Sequence, residues 1–216
     1  GGGRSSITSL GAEQFREIRR AFGVSEEAFL ASLGIRQVIG GLLMGDMRGM
    51  AERVSEGRSG SLFYYSHDGK YMCKTICEEE FSAMKSMLRD YHKYVTTHPD
   101  TLLMRILGLF ELNHGGKSHK LVVLANVFNS SLPIHERFDL KGSTYKRTVG
   151  SDRRGTAGVV HKDLDFLQMG RQIKLPEPLA NRLRRQIALD SAFLRQQDVI
   201  DYSLLVGIHR RRPASR

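Results

Sequence analysis

The sequence predicts an α+β fold, β-hairpin strands combined with helices. Three observations point there. Residues 59–76 read as two strand-like runs around His67-Asp68-Gly69-Lys70, whose Asp-Gly pair is a tight-hairpin signal. Several other stretches carry apolar residues at spacings of three and four, the period of an amphipathic helix. At 216 residues and 40% apolar composition, the chain can bury one respectable core or two small ones.

Taken in order, residues 1–11 open on glycine and serine and are expected to be a flexible entry segment. A helix starts near Ala12, with Phe15, Ile18 and Phe22 on one face and Gly23 placed as a stop. Ser25, followed by Glu26 and Glu27, is an N-cap with acidic first-turn residues for a second short helix through Leu33. Residues 34–57 are rich in glycine and methionine without clear periodicity, so a loop is expected. The hairpin follows, its second strand being Tyr71-Met72-Cys73-Lys74-Thr75-Ile76. A helix over residues 78–96 carries Phe81, Met84, Leu88, Tyr91 and Val95 as one apolar stripe and ends at His98-Pro99-Asp100. Two strands are expected over residues 103–112 and 119–127, around the turn Asn113-His114-Gly115-Gly116. The run Leu121-Val122-Val123-Leu124 suits a central strand covered on both faces. Later, Pro176 and Pro178 open a helix with Leu179, Leu183, Ile187, Asp190 and Leu194 on one face, Asp190 being read as a structural anchor. An acidic turn and an apolar strand, Asp198 to Ile208, close the pattern.

Two stretches carry chemistry. Period-two alternation puts Lys74 on the face of Met72 and Ile76, a place where an ammonium needs an anionic partner. A phosphate or a carboxylate would serve. The Ser59-Gly60-Ser61 turn is small enough to lie over phosphates, and Glu78-Glu79-Glu80 opens the next helix. Glu80 is favoured as the partner because it borders Phe81 and Met84. The second stretch, Phe138-Asp139-Leu140-Lys141-Gly142-Ser143-Thr144-Tyr145-Lys146-Arg147, combines one acid, three bases, a glycine and three hydroxyls. Positive φ at Gly142 would let backbone N–H groups converge on an anion, with Lys141, Lys146 and Arg147 supplying charge.

Charge and composition narrow the class. The net charge is +10, and residues 137–216 hold 17 Lys/Arg against 8 Asp/Glu, an excess of nine. That half favours an anionic surface, nucleic acid or acidic lipid. No helix-turn-helix, zinc-finger or RNP-like signature is present, so nucleic acid is not an expected partner. No run reaches the ~20 apolar residues needed to span a bilayer. Cys73 and Cys77, as a lone C-x3-C, read as two buried thiols in a reducing, cytosolic setting, and no metal ligands are assigned.

Three motifs in order, SGSLFYYSHDGKYMCKT, FDLKGSTYKR and IDYSLLVG, resemble those of the phosphatidylinositol phosphate kinases, the likeness covering nearly the whole chain. The resemblance implies a two-lobed kinase-like fold with an antiparallel N-lobe sheet, and residues 12–216 as its catalytic domain. In this family a metal-binding aspartate and a substrate-selecting loop follow the last strand, so the C-terminal lobe is expected to be truncated and the chain to be a fragment. It implies an ATP- and Mg2+-dependent transfer to the inositol ring of a phosphatidylinositol monophosphate, taken as the 4-phosphate going to the 4,5-bisphosphate. The setting would be peripheral, on the cytoplasmic face of an anionic membrane, and a homodimer stays open. An inactive phosphoinositide-binding module or pseudokinase scaffold is the alternative. By the same resemblance Ser59, Gly60, Ser61, Lys74 and Glu80 would bind ATP, and the backbone at Asn126 would meet adenine. Lys141, Lys146 and Arg147 would face the substrate phosphate with Asp139 steadying their loop. Asp201 would orient or deprotonate the attacking hydroxyl, meeting Lys74 at one nucleotide cleft.

Overall fold

Alternation along residues 71–76 sets the geometry of the first half. In the computed structural model, which describes residues 6–33, 63–114 and 116–211, β1 is Ser6–Leu10, β2 Phe63–Tyr65, β3 Tyr71–Ile76, β4 Ile106–His114 and β5 Lys117–Ala125. They form one antiparallel sheet in the order β1-β4-β5-β3-β2. Tyr71 and Cys73 point into a core with Leu107, Leu112, Leu121 and Val123. Helix α2 (Glu26–Leu33) adds Phe29 and Leu33 to it. Val122, between two core residues of β5, takes the opposite face by alternation and is fully buried, so the central strand is covered on both sides. Burial alone pushes the Cys73 thiol up to about 12.

Helices α1 (Ala12–Ala21) and α3 (Glu78–Thr97) pack on each other, with Phe15, Ile18, Leu88, Tyr91 and Val95 buried. Gly11 is required at their meeting point. Its φ is 55°, and a Cβ there would stand 2.3 Å from Leu88 Cδ2. Arg19 is buried, donating to Leu107 O (2.6 Å) and to Glu26 Oε2 (2.7 Å) with its guanidinium over the Phe29 ring.

Several expectations are corrected. The entry segment expected to be flexible is, over Ser6–Leu10, a strand that pairs with β4 from Ser6↔Asn113 to Leu10↔Leu109. Its side chains are mostly exposed, so the stabilising contacts are backbone ladder bonds that leave little trace in hydropathy. β4 starts at Ile106 rather than 103 because the Tyr91 hydroxyl donates to Met104 O (2.8 Å) and accepts from Ile106 N–H (2.9 Å), occupying that backbone. β4 and β5 then run on until His114 lies opposite Lys117, so Asn113 and His114 belong to the strand rather than to the expected turn. The loop expected over residues 34–57, and residues 59–62 of the first hairpin strand, lie outside the described residues.

The chain divides into two compact units, Gly1–Asn126 and Val127–Arg216. The second holds a three-stranded sheet in the order β7-β6-β8, from β6 (Glu136–Leu140), β7 (Val160–His161) and β8 (Leu204–Ile208). β6 pairs parallel with β7 and antiparallel with β8, bringing the second and third motifs side by side, Leu140 opposite Leu204. Helix α4 (Asp163–Gln168) sends Phe166 edge-on against the buried Phe138 ring, 5.1 Å between centroids. Helix α5 (Glu177–Gln196) buries Gln186, Asp190 and Phe193 and half-buries Leu183, Ile187 and Leu194, so the predicted face with Asp190 on it turns inward except at Leu179, which is 47% exposed. A bond from Gln186 Nε2 to Asp190 Oδ1 (2.9 Å) helps satisfy the buried polar pair that defines the observed face.

Candidate active site

In the first unit, β3 carries Lys74 half-buried, and its Nζ lies 3.1 Å from Glu80 Oε1 in the first turn of α3. Cys77 caps that turn. Its Sγ accepts from Glu80 N–H (3.5 Å), and its own N–H donates to Glu80 Oε2 (3.1 Å), a reciprocal capping box. Burial would raise the Glu80 carboxyl, but hydrogen bonds from Lys74 and from the Cys77 N–H hold it below its ordinary value. Cys77 is thus an exposed cap rather than a buried thiol. A second lysine, unforeseen from sequence, supports the same turn: Lys120 of β5 contacts Glu111 (2.6 Å) and Glu78 (3.5 Å) and lies over the Phe81 ring.

Asn126 is committed to the hairpin. Its N–H donates to Lys70 O and its side-chain amide to Gly69 O, both at 2.8 Å, so of the backbone expected to meet adenine the N–H is engaged by the turn. That turn is further held by Asp68, which accepts from Ser32 (2.5 Å) and Ser66 (2.7 Å) hydroxyls and pairs with Lys70 (3.0 Å). Burial pushes the Asp68 carboxyl up, yet these donors bring it well below the usual carboxylate range. Ser59, Gly60 and Ser61 lie outside the described residues.

In the second unit, the glycine loop after β6 does gather an anion, and the anion is internal. Gly142 has φ 70°, and the Lys141 and Gly142 N–H groups converge on Asp163 Oδ1 at 2.9 and 2.8 Å. Arg147 Nε donates to Asp163 Oδ2 (2.7 Å), and its Nη2 reaches Asp139 Oδ1 (2.6 Å) and Asp139 O. The Arg147 and Asp163 side chains are each only 12% exposed. Arg147 therefore braces the loop, its guanidinium engaged by the carboxylates of Asp163 and Asp139. Asp139 steadies the loop through that contact.

Lys141 reaches outward, its Nζ 2.7 Å from Asp201 Oδ1. Asp201 sits three residues before β8 with φ 63° and its side chain 78% exposed. The Lys141 hydrogen bond and charge hold its carboxyl below the ordinary value, so it is ionised at neutral pH. Lys146, also at positive φ (55°), is exposed with its Nζ over the Tyr145 ring.

The family model described as phosphatidylinositol-4-phosphate 5-kinase matches residues 45–216, about four-fifths of the chain. The chain belongs to this family. Among proteins it is similar to are a phosphatidylinositol 4-phosphate 5-kinase of Plasmodium falciparum, 36% identical over 91% of this chain and 12% of that protein, and the human phosphatidylinositol 4-phosphate 5-kinase type-1 alpha, 35% identical over 90% and 33%. A chicken (Gallus gallus) phosphatidylinositol 5-phosphate 4-kinase type-2 alpha is 34% identical over 90% and 45%. The chain thus spans less than half the length of these curated relatives. As a family member it carries a lysine–glutamate pair in one unit and a lysine–aspartate pair in the other. Among the described residues no group of three or more His, Cys, Asp and Glu side chains could hold a metal ion, so the Mg2+ implied by the resemblance has no ligands assigned there. No helix among the described residues is long and apolar enough to cross a membrane.

Proposed function

We propose that the protein is an ATP-dependent lipid kinase that phosphorylates the inositol ring of a phosphatidylinositol monophosphate, the 4-phosphate going to the 4,5-bisphosphate. The observation that carries this reading is the 2.7 Å pair of Lys141 and Asp201, made by two family motifs on adjacent strands. Asp201, kept ionised by Lys141, accepts the hydrogen bond of the attacking ring hydroxyl and orients it; Lys141 then lies where charge on the transferred phosphoryl group needs compensation. Lys74 holds the nucleotide phosphates, with Glu80 fixing its ammonium, and Ser59, Gly60 and Ser61 lie over the same phosphates. Lys146, exposed and cationic, meets the phosphate already on the ring. Such a reaction depends mostly on position and charge. The basic excess of residues 137–216 favours a peripheral seat on an anionic cytoplasmic leaflet.

Radiolabelled ATP transfer to vesicles of each phosphatidylinositol monophosphate, by the longest form of the protein that carries this chain, tests the proposal. Transfer to the 4-phosphate that is lost in both Lys74→Met and Asp201→Asn is the expected result. Label incorporation that survives both substitutions contradicts it, and vesicle binding with no transfer at all would mark a phosphoinositide-binding module instead.

A further inference from the structure

We propose that Asp163 is a positioning residue for the Lys141–Asp201 pair, acting from the start of α4 through the backbone of the Gly142 loop. Lys141 is the first residue after β6, and its long side chain has many rotamers to choose among. What fixes its point of departure is one carboxylate. Asp163 Oδ1 takes the N–H groups of Lys141 and Gly142, and Oδ2 takes Arg147 Nε, while Arg147 reaches back to Asp139 at the end of β6. Leu164 N–H adds a bond to Arg147 O at 3.0 Å. The loop is thereby tied at its entry, its turn and its exit to the first turn of α4.

Antiparallel pairing of β6 with β8 brings Leu140 opposite Leu204, so a loop held at residues 141 and 142 holds the Lys141 ammonium near the turn that carries Asp201. A strut that merely stabilised the fold would leave Asp201 indifferent to it. A positioning residue makes the Asp201 carboxylate sense a change about 40 residues away in sequence, through Lys141. The catalytic consequence rests on the phosphoryl-transfer reading above, whereas the electrostatic consequence does not.

Titration of the Asp201 carboxyl by carbon NMR, assigned with Asp201→Asn, reads that consequence directly in the parent protein, Asp163→Asn and Asp163→Ala. The expected order of midpoints is parent lowest, Asn higher and Ala highest, as Lys141 loses its anchorage. Amide exchange at Lys141 and Gly142 should quicken roughly tenfold in Asp163→Ala, the loss of two accepted hydrogen bonds. Should the alanine variant fail to fold, the near-isosteric asparagine carries the test. A parental Asp201 midpoint in a folded variant overturns the proposal. Because titration needs no turnover, it stands or falls separately from the kinase assignment. In the transfer assay, Asp163→Ala should lower kcat on the order of 10²-fold with KM for ATP unchanged, the cost of a misplaced group. An undiminished kcat would overturn the positioning role.

Discussion

Asp201, Asp198 and Lys146 are the non-glycine residues with positive φ among those described, at 63°, 54° and 55°. Two of the three belong to the candidate site. An aspartate tolerates the left-handed region better than an alanine does, and glycine tolerates it best. We therefore expect Asp201→Ala to unfold more readily than Asp201→Gly, by roughly five- to thirty-fold in the unfolding equilibrium. Both should lose phosphoryl transfer alike. Urea titration of the two variants checks this, and equal stabilities would mean that the backbone at 201 is unstrained. At this scale the sequence was partly legible. Lys74 is conspicuous because alternation puts a charge among apolar neighbours, and Glu80 lies within one helical turn of the hairpin's end, so the pair could be anticipated. The bracing part that Arg147 plays was not legible for a physical reason: its anchor Asp163 stands 16 residues downstream, and nothing local shows that the loop holds an anion of the protein itself.

The first turn of α3 shows how an element holds a functional side chain. Cys77-x-x-Glu80 has the spacing of a capping box, which went unread because sulfur is a weak acceptor and Ser or Thr is the usual cap. Cys77→Ser should stabilise the helix start by about 0.5 kcal/mol or more, with the Lys74–Glu80 pair intact, seen as a higher melting temperature. In the second unit α4 plays the corresponding part. Its buried Asp165 accepts from Thr148 Oγ1, from the Val149 and Lys162 N–H groups, and from Arg154 Nε. Burial would raise its carboxyl, but those donors hold it below the ordinary value, as hydrogen bonds do for Asp163. Groups with a lowered folded pKa contribute stability above the unfolded value and lose it as pH falls through the folded one. Urea midpoints should accordingly decline below about pH 4, and less steeply in Asp165→Asn than in the parent. Asp165→Ala, which strands buried donors, should cost about 3 kcal/mol at neutral pH. The face that α5 buries was legible from the spacing of Leu183, Ile187, Asp190 and Leu194, whereas Gln186, which donates to Asp190 beside them, did not follow from that spacing because it is polar.

Across the whole molecule, the boundary between the compact units at Asn126 and Val127 lies close to a change in charge. Residues 1–136 are nearly balanced, 16 Lys/Arg against 15 Asp/Glu, and residues 137–216 carry an excess of nine. The hairpins and long helices of the first unit were legible because each buries a periodic apolar set, whereas the second unit is held by carboxylate networks whose partners are far apart in sequence. Those networks also consume part of the basic excess. Arg147, Arg154 and Arg171 are each paired with a carboxylate, and Lys146 and Arg153 are exposed on the loop that follows β6. Only charges of the exposed kind can face an anionic bilayer. At about 1 kcal/mol for each basic residue near the surface, replacing Lys146 and Arg153 together by glutamine should weaken partition onto phosphatidylserine vesicles roughly 30-fold at low salt. The same loss should shrink at 0.5 M salt, where surface charges are screened within a few ångströms. Replacing Arg154 by glutamine should instead lower stability with a smaller effect on partition, because its guanidinium already serves Asp165. Sedimentation of the parent and the two variants with vesicles at two salt concentrations separates the cases, and equal partition by all three would place the lipid contact elsewhere on the molecule.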